Sequence, residues 1–210
     1  MISKSKSLWS SINIPQASLA DLERTLGSLS LQYKRQLLDL PLNHEKQVVL
    51  ARLYSAANTL HQAVRKGMVE NAIFEIGSNL IGCEQVALLV TSKRQDQVEF
   101  AGSSGFHEKQ VDLLRRNAKR IMREVSADSI FIASSDKDHP FMSSLGISAC
   151  VPFRLDDATN GAIVFFDLLP QRRGLDVRDQ ELLQMLCAYT GPCLAADKTK
   201  QLETSGWVQL

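Results

Sequence analysis

The side chains best suited to covalent, redox or metal chemistry in this chain are four cysteines, Cys83, Cys150, Cys187 and Cys193, and four histidines, His44, His61, His107 and His139. Their spacing argues against such chemistry. No two cysteines form a Cys-x-x-Cys pair, and no two histidines sit three or four apart, where one helix face could hold a metal. None neighbours a serine or thiol in a recognisable nucleophile motif. The cysteines are read as reduced, buried thiols, and the chain as non-catalytic, with no metal. Lys109, Arg115, Arg116, Lys119, Arg120 and Arg123 crowd one segment. That is either a solvated helix face or a surface for an anionic partner. Glu108 and Asp112 dilute its field, and no aromatic residues interleave as a single-strand binder requires. The 210 residues carry 24 Lys+Arg against 23 Asp+Glu, for a net charge of +1. A polyanion binder would show a clear basic excess, so nucleic acid is not an expected partner.

These residues need a scaffold, and the pattern of the chain supplies one. "ACVPFRLDDATNGAIVFF" (149–166) holds two Val/Ile/Phe-rich runs around a polar turn, a strand–turn–strand pattern. "LDVRDQELLQML" (175–186) reads as a helix, with Leu182, Leu183, Leu186 and Tyr189 on one face. Further strands are expected at 86–92, 98–103 and 129–134, and a helix at about 107–124 through Val111, Leu114, Ala118, Ile121 and Met122. "SDKDHPFMSSLG" (135–146) reads as an irregular loop with one helical turn. The hairpins demand antiparallel pairing. The expected fold is α+β, a twisted antiparallel sheet with flanking helices, the first and last helices of the sandwich lying together on one side.

Upstream, residues 1–17 read as a mobile tail whose Trp9, Ile12 and Ile14 either pack loosely or dock. Ser18 and Asp21 suit a helix N-terminus. Leu19, Leu22, Leu26, Leu29 and Tyr33 follow at alternating spacings of three and four, a narrow coiled-coil-like seam. Pro41 ends that helix and Asn43 caps the next. The second helix is expected to run from 44 to 81. Its first half carries Val49, Leu53, Ala56, Leu60 and Ala63, its second half Val69, Ile73, Ile76 and Leu80, and the two seams differ in phase. The slip falls at Arg65-Lys66-Gly67, read as a junction inside a continuous helix. On that reading Gly67→Ala adds up to about 1 kcal/mol of helix propensity. The chain thus divides into a helical hairpin extension at 18–66, a domain at 67–197 and a tail at 198–210 that includes Trp207. An exposed two-helix hairpin predicts a homodimer through Leu22, Leu26, Leu29, Val49, Leu53 and Leu60. No secretory signal pattern is present and no run nears the roughly 18 apolar residues of a membrane span, so the expected compartment is the cytoplasm.

The closing third resembles a GAF domain. Val151 and Pro152 at a strand end, Gly161 opening the next strand, then Leu175 and Asp179 before a helix, follow that family's order and spacing. "DHPFM" resembles the Asp-Pro loop before these strands, and the resemblance spans residues 60–197. It implies a small-molecule-sensing, regulatory domain with terminal helices that dimerise and relay a signal. It also implies a ligand between the sheet and the "SSDKDHPF" loop (134–141). Ser134, Ser135, Asp136 and His139 would then give polar contacts, and Phe100, Phe131, Phe141 and Cys150 an apolar lining. This composition suits a small-molecule site; the alternative is an ordinary loop with Asp138 and Pro140 as turn formers. The ligand or cofactor is not identified by these residues. Leu175 and Gln180 depart from the cyclic-nucleotide signature of the family, and Cys150 lacks the companion thiols of its methionine-sulfoxide reductases. The expected function is a non-catalytic sensory module acting on a separate signalling protein. The alternatives are a small Cys-based redox enzyme or a ligand-free dimerisation adaptor.

Overall fold

The computed structural model describes residues 19–39, 44–92, 97–125, 129–133, 139–157, 159–172 and 174–206. The Ser18, Pro41 and Asn43 helix signals, Trp9 and Trp207 lie outside them. Five strands, β1 (Cys83–Ser92), β2 (Gln97–Ser104), β3 (Phe131–Ile132), β4 (Ile147–Arg154) and β5 (Thr159–Leu168), form one sheet in the order β2-β1-β5-β4-β3. Every neighbouring pair is antiparallel. The strands alternate as a pleat requires. Val86, Leu88 and Val90, Val151 and Phe153, and Ile163 and Phe165 go to one face, while Ala87 and Leu89, Cys150, and Ala162, Val164 and Phe166 go to the other.

The first face lies under α1 (Leu19–Asp39), α2 (His44–Lys66), α3 (Val69–Ile76) and α6 (Val177–Gly206). Leu26, Leu60 and Ile73 are fully buried in the same cluster as Phe165. The buried core therefore runs without interruption from the hairpin to the sheet. The opposite face carries α4 (Glu108–Glu124), docked by Leu114, Ala118 and Ile121, and the short α5 (Pro140–Ser144). Both terminal helical segments of the sandwich share one face, as the pattern predicted.

Two expectations change. The 44–81 helix is not continuous. Gly67 takes φ 72° and the Met68 N–H bonds the Ala63 carbonyl at 3.0 Å, the six-to-one bond of a Schellman cap. The phase slip is thus a helix end followed by a new helix. A second irregularity follows at once: Gly77–Ile81 form a π-helical turn closed by Gly82 at φ 75°. The other change concerns the proposed dimer seam. Leu22, Leu26, Leu53 and Leu60 are buried within the single chain, against each other and the domain, so they offer no surface to a second chain. Leu29 and Val49 are partly buried on the same cluster.

Candidate functional site

The α4 face of the sheet gathers part of the expected ligand set. Phe131 on β3 pairs with Cys150 on β4, Cys150 with Val164 on β5, and Val164 with Ala87 on β1. Side chains at directly paired positions share a face, so this row crosses four strands with small residues at its centre. Pro140 at the first position of α5, where its missing N–H costs nothing, follows His139. The His139 ring meets Phe131 edge to face, centroids 5.6 Å apart. Phe141 follows two residues on, half-buried against the same cluster. The structure therefore brings Phe131, His139, Phe141 and Cys150 together.

Phe100 belongs to the same face but lies apart, on edge strand β2 opposite Leu89. Ser134, Ser135 and Asp136 lie outside the described residues. Two α4 residues that the sequence reading did not assign to the site, Arg120 of the basic segment and Glu124, lie against this group. Arg120 stacks its guanidinium 3.7 Å from the Phe141 centroid and reaches Glu124 at 3.4 Å. Glu124 also lies 3.7 Å from Nδ1 of His139, an ion pair when the ring carries a second proton. Helical spacing of four put Arg120 and Glu124 on one stripe, and that is the signal that could have found them. Arg115 stands 5.7 Å over Phe100, repeating the pattern one turn earlier.

The buried thiols of the described residues are poorly disposed to act as nucleophiles. Cys150 is fully buried and burial raises its thiol pKa. The nucleophile is the thiolate, and a buried apolar environment suppresses it. Burial likewise pushes Cys83 and Cys193 up to about 12. Among the described residues no group of three His, Cys, Asp or Glu side chains is placed to hold a metal, and no helix is long and apolar enough to cross a membrane.

No protein-family model and no curated protein matches the sequence. Solved structures resemble the fold. The LBD domain of VqsR from Pseudomonas aeruginosa aligns at 8% identity, TM-score 0.47, over 69% of this chain and 94% of its own. The GAF domain of a protein described as a sensor histidine kinase from Pseudomonas syringae pv. tomato aligns at 16% identity, TM-score 0.44, over 76% and 92%. The phycoerythrobilin-bound GAF domain of a cyanobacterial phytochrome aligns at 14% identity, TM-score 0.43, over 77% and 100%. The fold is a single antiparallel sheet with the α1–α3 segment and α6 on one face and α4 and α5 on the other.

The Leu175–Asp179 motif has a structural meaning in this fold. Asp176 accepts the Arg178 N–H at 2.9 Å, and Asp179 accepts the Asp176 N–H at 2.8 Å, a capping box at the start of α6. Asp179 is 0% exposed and also binds Arg52 of α2 at 2.5 Å and Arg172 at 2.7 Å. Arg52 donates in addition to the Leu80 carbonyl at 2.7 Å, and Arg172 donates to that of Ile81. One carboxylate thus joins the hairpin, the π turn and α6. Arg52 lies 127 residues from Asp179, so no local pattern announces the pair.

Proposed function

We propose that this protein is a non-catalytic sensory or regulatory module that binds a small, partly aromatic molecule on the α4 face of its sheet and passes the state of that face to a partner protein through the helical hairpin. The observation carrying this reading is the convergence of Phe131, His139 and Phe141 with Arg120 and Glu124. Such a patch combines apolar area with a few charged groups, the usual make-up of a small-molecule site. Relay through the hairpin is supported by the continuous core and by the Asp179 clamp, which make α2 and α6 one mechanical unit. Native mass spectrometry of the full chain tests the ligand. The expected result is a discrete small-molecule adduct that His139→Ala and Phe131→Ala both diminish. An adduct kept undiminished in both variants overturns the placement.

The module acts as a homodimer on this reading, through the outer face of α1. Leu31 and Leu38 stand seven residues apart on that helix and are 57% and 75% exposed. With the inner seam spent inside the chain, a second copy is the occupant that fits a short leucine stripe on a hairpin helix. Light scattering at roughly tens of micromolar, where a standard-sized interface holds, is expected to give twice the 23.3 kDa chain mass, and half that for Leu38→Asp. A wild-type monomer there removes the dimer from the proposal.

A further inference from the structure

A cleft lies away from the α4 face, where the hairpin meets the approach to α6. It encloses about 410 Å³ and is lined by Arg52, Ser78, Asn79, Gln171 and Arg172, together with apolar and glycine positions of the same segments. Among the described residues no carboxylate lines it. Asp179 sits behind it, wholly buried, and its single negative charge is shared by two guanidinium groups. One positive charge is left over in a site whose arginine side chains are 18% and 24% exposed.

The donors are also in excess. A guanidinium carries five N–H groups and no acceptor. The hydrogen bonds of Arg52 all leave from Nη2, and those of Arg172 from Nη1 and Nη2. Nε and Nη1 of Arg52 and Nε of Arg172 have no protein acceptor among the described residues. The π turn contributes to this arrangement. It ends at Gly82, whose φ of 75° suits glycine, and the Arg172 stem passes where a Cβ at Gly82 would lie 2.7 Å from Cδ. Single π-helical turns of this kind recur at functional sites.

We infer that this cleft is a binding site for a small carboxylate-bearing molecule, seated on the spare N–H groups of Arg52 and Arg172 with the amides of Asn79 and Gln171 beside it. The planar fork of a guanidinium matches a carboxylate in two parallel hydrogen bonds. A monoanion neutralises the one excess charge, where a phosphate dianion would overshoot it. The bound molecule would touch α2, the π turn and the β5–α6 connection together. Its occupancy would therefore stiffen the link between hairpin and sheet. The site is separate from the α4 face, and either can fail without the other.

The test uses the full ¹⁵N-labelled chain, titrated with sodium acetate at constant ionic strength held by sodium chloride, with sodium phosphate run in parallel. Expected are saturating shifts at the Asn79, Leu80 and Gln171 amides and the arginine Nε–H groups, half-complete at roughly millimolar acetate. Gln171 is exposed and outside the Asp179 network, so its variants keep the fold. Gln171→Lys should tighten acetate by about threefold and Gln171→Glu should weaken it by about as much, the size of an exposed charge pair. Shifts that chloride reproduces, equal affinity in the two Gln171 variants, or tighter saturation by phosphate than by acetate would each overturn the assignment.

Discussion

The two faces of the sheet are built on different principles. The hairpin face is covered by four helices, and Leu26, Leu60, Ile73 and Phe165 in its core are excluded from water. Asp179 there holds two arginines. The α4 face has one full helix and a one-turn helix for cover. Phe100, Phe106 and Phe141 there are only partly buried, and Arg120 stacks on Phe141 while pairing with the partly exposed Glu124. Core packing resists small changes of shape, whereas sparsely covered segments open at lower free energy. One face is the more firmly covered, the other the less. The hairpin belongs to the first class.

The largest expected effect breaks the clamp. Asp179→Ala leaves Arg52 and Arg172, both mostly buried, without their counter-charge. Removing one partner of a buried pair costs about 3–5 kcal/mol, and urea unfolding should show a loss of that order. Phe141→Ala on the opposite face removes a half-buried ring and its cation–π contact, and should cost nearer 1 kcal/mol. Equal losses at the two sites would erase the distinction between the faces.

How much of this was legible in the sequence follows the range of the interactions. Strand alternation and helix periodicity are local, so the sheet, α4 and the start of α6 could be read from residue order. Val151, Pro152, Gly161, Leu175 and Asp179 marked the closing strand–strand–helix unit for the same reason. The break at Gly67 was legible as a phase slip but not as a helix end, because its stabilising groups come from far along the chain. Lys200 donates to the carbonyls of Val64 at 2.9 Å and Arg65 at 3.3 Å, and Asp197 accepts the Val69 N–H. The last turns of α6 thus cap the end of α2 with a cation and the start of α3 with an anion, the signs that helix dipoles favour. Of the proposed site, Phe131, His139, Phe141 and Cys150 were expected together because they flank one loop. The contacts of Arg120 and Glu124 with that group were not legible, because solvated helix faces have the same composition.

Gly67 sharpens the contrast at intermediate size. Helix propensity alone says that Ala there stabilises. Its φ of 72° reverses the sign, because an L-residue in the left-handed region costs roughly 1–2 kcal/mol. Space is not the obstacle, since an added Cβ meets only Asp197 Oδ1 at 3.5 Å. Gly67→Ala should therefore lower the thermal midpoint by several degrees, at ~1 kcal/mol, while Gly67→Asn, which tolerates this conformation better, should lose less. A more stable Ala variant would mean that α2 and α3 join as one helix in solution.

The smallest expected effect is a pH dependence at the same joint. Asp197 is 2% exposed, and burial raises its pKa despite the Val69 N–H bond and the nearby Lys198 and Lys200, with Glu70 adding to the rise. The folded pKa then lies above the unfolded one. Between the two values the native state binds more protons than the unfolded chain, so stability falls as pH climbs through that window. Above the window the charged carboxylate is a constant cost, and below it the cost vanishes. Asp197→Asn keeps an oxygen for the Val69 N–H but carries no charge. It should match wild type in stability near pH 4 and exceed it at pH 7 by about 1 kcal/mol or less. The groups of the α4 face, His139 and Glu124, are more open to solvent than Asp197, so substituting them should leave this difference between variant and wild type in place. Urea midpoints taken across pH 4 to 7 decide the matter. A wild-type protein that gains stability over Asp197→Asn as pH rises would show that the lysines and the α3 terminus outweigh burial, and that the joint is held by charge rather than strained by it.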